Sequence, residues 1–304
     1  MENKECLLSL CIPTNGATQW VIPTLKGIFA QECDPASYEV IIADNGDGHD
    51  LQEALCQFDQ INLHYFKTKE RGFLNIVSAL KAGCGSYHRM LNHRSVLLPG
   101  TLAGWIDLVS RYKEQKPVFF FSDGKIEGEG ECVFDSFDMF VRSLGVWSSW
   151  SAGIGIWHSD LVRLDKMQFD EMFPSTSLLF ETCQESRLFV IDNNKYQTMQ
   201  DETGKGGYDL FYTFGVGFLD ILSALRHHRR ISVDTFLKVK EDVLLFLGKL
   251  YYNEVIRSTA HTFIIQNVRQ SIQVYFGEAG YRKLLWNAYM TPYKERLRKI
   301  LCKK

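Results

Sequence analysis

The sequence of 304 residues predicts an α/β fold, with a mostly parallel sheet flanked by helices, followed by a helical C-terminal region. Strand-like and helix-like segments alternate over the first 120 residues, which is typical of α/β proteins. Polar, glycine-rich stretches replace this alternation between residues 122 and 207. Helical periodicity dominates from residue 208 onwards. We therefore predict two domains, 1–212 and 213–304.

Short apolar runs closed by turn residues predict the strands. The run at 7–12 ends at Pro13, and the run at 38–43 is followed by the turn-forming residues 44–48. Continuous apolar runs of this length are typical of strands buried on both faces of a parallel sheet. The predicted strands are 7–12, 38–43, 61–66, 87–91 and 118–121.

Apolar residues at helical spacing lie between these strands and predict the flanking helices. Pro99 opens one of them, because proline suits the first position of a helix. The helices predicted in the first domain are 18–31, 51–58, 73–82 and 99–114. Those predicted in the C-terminal region are 218–226, 234–255, 259–276 and 279–301.

Composition excludes several classes of protein. Lysine and arginine (34) nearly balance aspartate and glutamate (36), which excludes a purely electrostatic nucleic-acid binder. The longest apolar runs fall far short of the roughly 20 residues that cross a bilayer. The first residues do not resemble a signal peptide. The eight cysteines are scattered without a CxxC pair, as expected for reduced thiols, so we predict a cytoplasmic protein with no nucleic-acid partner.

Polar residues follow three of the predicted strands, at 13–15, 44–45 and 92–95. Ligands of open α/β sheets bind outside the carboxyl ends of the strands, so these residues predict a nucleotide site. The alternative is that they only form turns. The chain lacks the dinucleotide-binding GxGxxG pattern, the phosphate-binding GxxxxGK[ST] loop and the GxSxG elbow of hydrolases, which excludes those three kinds of site.

Several segments resemble family 2 glycosyltransferases. The resemblance lies in LSLCIPTN (8–15), TLKGIFAQ (24–31) and YEVIIADN (38–45), and it continues through 71–73, 97–102 and, more weakly, 205–211. It implies a GT-A fold (Rossmann-like) and a nucleoside-diphosphate sugar donor, with UDP as the expected nucleotide. We claim no resemblance for the last 80 residues.

The resemblance also implies how the donor binds. Pro13 and Thr14 would line the nucleotide pocket with backbone groups, and Asp44 would accept a hydrogen bond from the uracil or ribose. Arg71 would lie near the diphosphate, where a guanidinium is well suited. The full set of predicted donor-binding residues is Pro13, Thr14, Asn15, Asp44, Asn45, Arg71, Asn92, His93 and Arg94.

The sequence departs from the family where most members carry an Asp-x-Asp motif. Those carboxylates hold a divalent cation, but here the segment contains Asn92-His93-Arg94-Ser95, and residues 86–106 include no Asp or Glu. A Mg²⁺ or Mn²⁺ cofactor is therefore doubtful, and we assign no metal ligands. Three interpretations stay open: His93 and Arg94 replace the metal, catalysis has been lost, or the segment is a surface turn.

An inverting transferase also needs a general base. Glu181 is the first candidate, because an acid after an apolar run can have its pKa tuned by partial burial. Asp170, Glu171 and Asp123 are the others, and each could instead be a surface carboxylate or a helix cap. Three tryptophans could stack on the acceptor sugar or pack in the core: Trp147, Trp150 and Trp157.

Residues 281–304 contain eight basic residues and one acidic residue, interleaved with apolar ones. A basic amphipathic helix of this kind suits an anionic membrane, and the alternative is a solvated helix packed on the domain. We predict an inverting hexosyltransferase that moves a sugar from a UDP-linked donor onto a lipid-linked oligosaccharide in capsule, O-antigen or exopolysaccharide synthesis, at the inner face of the cell membrane. The alternative is a catalytically inactive nucleotide-sugar or glycan-binding protein of the same fold.

Overall fold

The structure is a computed structural model, described here over residues 5–181, 187–200, 206–259 and 261–301. The chain forms two compact units. The first comprises Met1–Phe140 and Trp147–Asp201, and the second comprises Val141–Val146 and Glu202–Lys304.

Ten strands lie in the first unit and two in the second, within the described residues. The strands of the first unit are β1 (Leu8–Thr14), β2 (Tyr38–Asp44), β3 (Leu63–Lys67), β4 (Tyr87–Met90), β5 (Ser95–Leu97), β6 (Val118–Phe121), β7 (Glu131–Phe134), β8 (Gly155–Trp157), β9 (Phe189–Asp192) and β10 (Gln197–Met199). Those of the second unit are β11 (Gly206–Asp209) and β12 (Thr262–Ile264).

The α-helices of the first unit are α1 (Thr18–Phe29), α2 (Asp50–Leu55), α3 (Asn75–Lys81) and α4 (Thr101–Arg111), then α5 (Phe137–Leu144), which both units share, and α6 (Pro174–Glu181). The second unit has α7 (Leu210–Tyr212), α8 (Phe218–His227), α9 (Val233–Leu250) and α10 (Val268–Leu301). Inside α10, Gly277 has a φ of 62°, which separates two helical segments as the predicted break between 276 and 279 requires.

The central sheet has the strand order β3-β2-β1-β4-β8. Its first four strands are parallel, and β8 runs antiparallel to β4. The strand at 118–121 forms at the predicted residues, but it belongs to a separate sheet of order β6-β9-β7, because β8 pairs with β4 in the central sheet. Strand β5 pairs antiparallel with β10.

The core of the first unit forms where β1 and β2 are covered by helices. Leu8, Leu10 and Ile12 are fully buried, and they belong to the same apolar cluster as residues of α1 and α4. Alternate residues of a strand point to opposite faces of the sheet. The other face of β1 and β2 contacts α3. A sheet covered on both faces explains why these strands are continuous apolar runs.

The prediction of a helix over 259–276 is wrong in its first part. Residues 262–264 form β12, which pairs with β11, and the helix begins only at Val268. Thr-Phe-Ile is a segment of high strand propensity, and pairing with β11 stabilises it as a strand.

Candidate functional site

The carboxyl ends of the parallel strands lie side by side, as the sequence predicts. Thr14 at the end of β1 is paired in register with Asp44 at the end of β2, and Asp44 with Lys67 at the end of β3. The segment 91–95 follows β4, the other neighbour of β1. We call this row of strand ends the polar edge.

Asp44 is fully buried at the polar edge, and its carboxylate is engaged by the protein itself. Oδ1 accepts a hydrogen bond from the Gly46 amide at 2.8 Å. Oδ2 accepts bonds from the Tyr65 hydroxyl at 2.9 Å and the Lys67 ammonium at 3.0 Å. The expectation that Asp44 bonds directly to uracil or ribose is therefore corrected: its oxygens hold the turn after β2.

Lys67 extends this arrangement, and sequence analysis missed it. Its ammonium also donates to the carbonyl oxygens of Gly46 and Gly48, so it holds that turn by three bonds. Its side chain is 32% exposed. A lysine at the end of β3 looks like an ordinary surface residue until the strand register places it beside Asp44.

The loops after β1 and β2 approach each other closely. The amide of Asn45 donates to the Thr14 carbonyl at 2.9 Å. A Cβ added to Gly46 would collide with the Asn15 carbonyl. Gly16 has a φ of +80°, a conformation that glycine adopts without strain. Pro13 is half-buried and Asn15 is exposed, so this paired loop presents its backbone and Asn15 to solvent.

Asn75, at the start of α3, is hydrogen-bonded to the strand ends of the polar edge. It is 2% exposed, and its side-chain amide donates to the carbonyls of Ala43 at 2.8 Å and Thr14 at 3.2 Å. Its side-chain oxygen accepts from the Thr68 hydroxyl at 2.8 Å. One side chain therefore bonds to the ends of β1 and β2 and to the residue after β3. Sequence analysis missed this residue as well, because an Asn at a helix start resembles an ordinary cap.

His93 joins the loop after β4 to the end of β1. Its Nδ1 is hydrogen-bonded to the Thr14 hydroxyl oxygen at 2.9 Å. Its carbonyl accepts from the Thr24 hydroxyl of α1 at 2.7 Å. Thr14 and His93, predicted as members of one donor site, are thus in contact.

Arg94 and Asn92 shape the same loop. The Asn92 side-chain oxygen accepts from the Arg94 amide at 2.9 Å, which is an Asx turn. The guanidinium carbon of Arg94 lies 4.5 Å from the centre of the Trp20 ring, a cation–π contact. Both residues are half-buried.

The loop that carries Arg71 is tied to the turn after β2. The Asn45 side-chain amide donates to the carbonyls of Glu70 at 2.9 Å and Gly72 at 3.2 Å, on either side of Arg71. Arg71 itself is exposed. Asn45 is therefore a positioning residue for Arg71, and the structure brings these two predicted residues together.

A second polar group lies at the carboxyl ends of β6 and β9. Asp123 is 8% exposed, and its Oδ1 accepts from the amides of Tyr196 at 2.8 Å and Gln197 at 3.1 Å. Its φ of +52° is left-handed, which costs free energy for a residue with a Cβ. Asp192, fully buried, accepts a hydrogen bond from the Tyr196 hydroxyl. Burial raises the pKa of Asp192 above its ordinary value, although the bonds from Tyr196 and Asn194 oppose this.

Arg89 of β4 lies beside this group. It is 1% exposed, with its guanidinium carbon 3.9 Å from the centre of the Trp105 ring and 3.8 Å from that of Phe121. Burial lowers the pKa of Arg89 to about 10, and the charge of Asp192 acts in the opposite direction. Its Nε and Nη1 have no hydrogen-bond partner in the described part of the chain. Trp105 and Phe121 therefore hold this cation by their ring faces.

The three other predicted carboxylates lie near or on α6. Asp170 is exposed, and its Oδ1 accepts from the amides of Met172 at 2.9 Å and Phe173 at 2.8 Å, which orders the turn before the helix. Glu171 is exposed. Glu181, the last residue of α6, is exposed too, so it lacks the partial burial on which its selection rested.

The three tryptophans differ in exposure. Trp157 is 2% exposed, its indole N–H donates to the Pro117 carbonyl at 2.7 Å, and its ring packs on Tyr87 and Phe119. It is a core residue, which corrects its assignment to a sugar-stacking surface. Trp147 and Trp150 are half-buried and in edge-to-face contact, with ring centres 6.5 Å apart. These two keep surface that a sugar ring can reach.

Segment 91–95, where the family carries its Asp-x-Asp motif, lacks the ligands that a hard divalent cation requires. It supplies amide, imidazole, guanidinium and hydroxyl groups and no carboxylate, and the buried Asp44 at the end of β2 is already hydrogen-bonded by the protein. Mg²⁺ and Mn²⁺ prefer carboxylate oxygens. The donor set of this segment therefore does not fit such an ion.

The strand order, the parallel polar edge and the flanking helices define a GT-A fold, which confirms the predicted fold class. Among solved structures, the chain resembles S. aureus TarS 1-349 (TM-score 0.52, 10% identity, 93% of this chain and 78% of that chain covered). The TarS 1-349 complex with UDP-GlcNAc gives a TM-score of 0.53 at 11% identity, covering 93% and 81%. The mannosyltransferase PcManGT from Pyrobaculum calidifontis, in complex with GDP-Man and Mn²⁺, gives 0.50 at 13% identity, covering 93% and 88%. No protein-family model and no curated protein matches the sequence.

Proposed function

We propose that this protein is a glycosyltransferase that takes a sugar from a nucleoside-diphosphate donor, with UDP as the nucleotide. The observation that carries the proposal is the polar edge, where Thr14, Asn45 and His93 meet across three parallel strands of a GT-A fold. Similar folds bind UDP-GlcNAc in TarS and GDP-Man in PcManGT, which supports a nucleotide-sugar donor.

The nucleotide would lie along the paired loop of Pro13–Asn15 and Asn45, contacting its backbone groups. Arg71, His93 and Arg94 would supply positive charge and N–H donors to the diphosphate. Such groups stabilise the negative charge that develops on a leaving diphosphate, the work that a metal ion does elsewhere. We therefore propose a metal-independent transfer, in agreement with the absence of carboxylates from residues 86–106.

Inversion requires a base that takes the proton of the acceptor hydroxyl as the oxygen attacks the anomeric carbon. Asp123 is the carboxylate whose surroundings favour this role most. It follows β6, and its partner Tyr196 accepts bonds through its carbonyl from the Leu98 amide and the Thr101 hydroxyl. Residues 95–98 follow directly after Arg94, so Asp123 is connected to the donor loop by two hydrogen-bonded steps. Glu181, Asp170 and Glu171 are the alternatives.

Trp147 and Trp150 are proposed to hold the acceptor sugar by stacking. Lys125 follows Asp123 by two residues, and its ammonium lies 5.9 Å from the centre of the Trp150 ring. Aromatic faces bind the apolar faces of sugars, while a nearby cation can bond to hydroxyl groups. We propose that residues 1–212 bind both the sugar donor and the acceptor.

The acceptor is proposed to be a lipid-linked oligosaccharide of capsule, O-antigen or exopolysaccharide synthesis, reached at the inner face of the cell membrane.

The second segment of α10, after Gly277, supports a membrane contact. Trp286, Tyr289 and Tyr293 are 66%, 63% and 58% exposed, at i, i+3 and i+7 along one face. Arg282, which is paired with Glu278 at 3.6 Å, and Arg296 continue that face, and both are exposed. We call these five residues the aromatic stripe.

Aromatic rings flanked by arginines suit the interface of an anionic membrane, where the rings lie among headgroups. The opposite face of the same helix is buried, at Leu284 and Ala288. No helix in the described part of the chain has both the length and the hydropathy to cross a bilayer. Lys303 and Lys304, at the end of the predicted basic run, lie outside the described residues.

A panel of UDP-sugars tests the proposal, with released UDP as the readout, in the presence and absence of EDTA. We expect UDP release from at least one UDP-sugar, unchanged by EDTA. The second candidate, an inactive nucleotide-sugar binder, is favoured by the missing carboxylates. It would give a thermal shift with UDP and no release from any donor, with or without a lipid-linked acceptor fraction.

A further inference from the structure

Cys6, Glu39 and Cys84 lie together at the amino ends of β1, β2 and β4. This is the opposite edge of the sheet from the polar edge, because the strands are parallel. The two sulfur atoms and a carboxylate oxygen all lie within 4.8 Å of one another. Among the described residues, no other group of three His, Cys, Asp or Glu side chains comes so close together.

Glu39 is held in a fixed orientation. It is 5% exposed, and its Oε1 accepts hydrogen bonds from the Ser9 hydroxyl at 2.6 Å, the Gly85 amide at 3.2 Å and the Cys84 amide. A Cβ at Gly85 would lie 2.8 Å from the Ser9 amide nitrogen, so only glycine lets this loop approach β1 so closely. Hydrogen bonds of this kind orient the carboxylate ligands of metal sites.

A candidate fourth ligand lies next to this carboxylate, outside the group of three. The Nε2 atom of His64, on β3, is 3.6 Å from Glu39 Oε2, the oxygen not bonded to the loop. The His64 side chain is 52% exposed and Cys84 is exposed, so a cation could enter from solvent. Ligand atoms of a tetrahedral zinc site lie roughly 3.3–3.8 Å apart, given bonds of about 2.0–2.3 Å. The His64–Glu39 separation suits that geometry, and the three clustered atoms need to move by roughly 1 Å. His64 Nε2 lies outside the group of three, so its exposed ring has to turn toward the two sulfur atoms to complete the shell.

We propose that Cys6, Glu39, His64 and Cys84 bind one Zn²⁺ ion. Two thiolates, one imidazole and one carboxylate form a set that zinc accepts in tetrahedral geometry. Mg²⁺ and Ca²⁺ prefer oxygen ligands throughout, so this site does not suit them. With four protein ligands the coordination shell is complete, so the ion would be structural and would join the amino ends of all four parallel strands. This site is independent of the proposed transfer reaction.

The site cannot be recognised from the sequence, because its residues are widely spaced, at positions 6, 39, 64 and 84. Zinc sites are recognised in sequences by closely spaced pairs such as CxxC. Here each strand of the sheet, or the loop before it, supplies one ligand. Only the parallel strand order β3-β2-β1-β4 brings them to the same edge of the sheet.

Cobalt titration of the full-length protein tests the proposal. The protein is reduced, stripped of metal with a chelator and exchanged into chelator-free buffer, and Co²⁺ is added while the thiolate-to-cobalt charge-transfer absorption is recorded. We expect saturation at one equivalent and loss of the absorption when Zn²⁺ is added. Cys84→Ser and His64→Ala should each weaken binding by roughly tenfold or more. Cys56→Ser is the matched control, because Cys56 is an exposed thiol outside the cluster.

Both test residues are exposed, so their replacement leaves the core intact, and circular dichroism checks this. Zn²⁺ should raise the Tm of the wild type and of Cys56→Ser, but not that of Cys84→Ser. The proposal is overturned if wild-type protein gives no charge-transfer absorption, or if Cys84→Ser binds Co²⁺ as tightly as the wild type. A Cys6–Cys84 disulfide in protein purified with Zn²⁺ and without reductant, found by mass spectrometry, would also overturn it.

Discussion

The imidazole Nδ1 of His93 lies 2.9 Å from the hydroxyl oxygen of Thr14, so one side-chain hydrogen bond joins the loops that end β1 and β4. Thr14 is 4% exposed, which shields this bond from competing water. The imidazole ring is thereby fixed beside the backbone that we propose binds the nucleotide.

Thr14→Val removes this bond while keeping the shape of the side chain. We expect a loss of about 1 kcal/mol of stability, and UDP binding weakened by roughly fivefold because His93 loses its orientation. Calorimetric titration with UDP measures the effect. Thr14→Ser retains the hydroxyl and should bind UDP like the wild type. Equal affinities for the Val and Ser variants would contradict the positioning role.

His93→Ala should lower the rate of UDP release by roughly 100-fold, the cost of losing one donor that stabilises developing negative charge. The matched control is His227→Ala, an exposed histidine at the end of α8, which should leave the rate unchanged. Rates are measured with and without EDTA at saturating donor. Loss of wild-type activity on chelation, with restoration by Mn²⁺, would refute the metal-independent mechanism.

Trp157→Ala should destabilise the protein by about 3–5 kcal/mol, because it leaves a large cavity in the aromatic core. Trp147→Ala should cost only about 1–2 kcal/mol, because this side chain is half-buried. Its main effect should be a higher KM for the acceptor. Urea unfolding and acceptor titrations separate the two roles, and an unchanged acceptor KM for the Trp147 variant would remove it from the acceptor site.

The raised pKa of Asp192 predicts a pH dependence of stability. A carboxyl group whose pKa is higher in the folded than in the unfolded state destabilises the fold once the unfolded chain ionises. Relative to Asp192→Asn, the wild type should therefore lose stability as the pH rises above about 4, until the folded pKa is passed, and then stay level. Urea unfolding at a series of pH values measures this difference. An opposite slope would mean that Arg89 and the hydrogen bonds of Asp192 outweigh its burial.

The aromatic stripe predicts binding to anionic vesicles. Replacing Trp286, Tyr289 and Tyr293 together by Ala should lower partitioning at least roughly tenfold, and salt should weaken wild-type binding because each arginine contributes about 1 kcal/mol. Co-sedimentation with vesicles of neutral and of anionic lipid measures this. Ile61→Ala is the control, because it removes an apolar side chain that is 90% exposed and lies outside the aromatic stripe. Identical pelleting of the triple variant and the wild type would exclude the stripe as the contact.

The strands and the polar edge could be predicted because their signals are local. An apolar run followed by Pro13, or by Asp44 and Asn45, marks a strand end whatever the rest of the chain does. The partners of those residues could not be predicted. Lys67 and Tyr65 reach Asp44 only because β3 pairs in register with β2, and Asn75 reaches Thr14 from 61 residues away.

The wrong predictions for Trp157 and for residues 262–264 have the same cause. The sequence around Trp157 is rich in aromatic and small polar residues, as in a sugar-binding surface. However, β8 pairs with β4, and the indole of Trp157 is buried in the core. The segment 262–264 has apolar spacing compatible with a helix, yet β11 provides a strand partner that local periodicity cannot reveal. Tertiary pairing decided both outcomes.

The close approach of Gly46 to the Asn15 carbonyl has an evolutionary consequence. A residue with a Cβ at position 46 would collide with the Asn15 carbonyl, so position 46 can change only if the loop after β1 moves as well. Variants that alter nucleotide preference through position 46 should therefore carry paired changes at 15–16 and 45–46, and libraries that randomise position 46 alone should yield fewer folded clones than libraries that vary both loops.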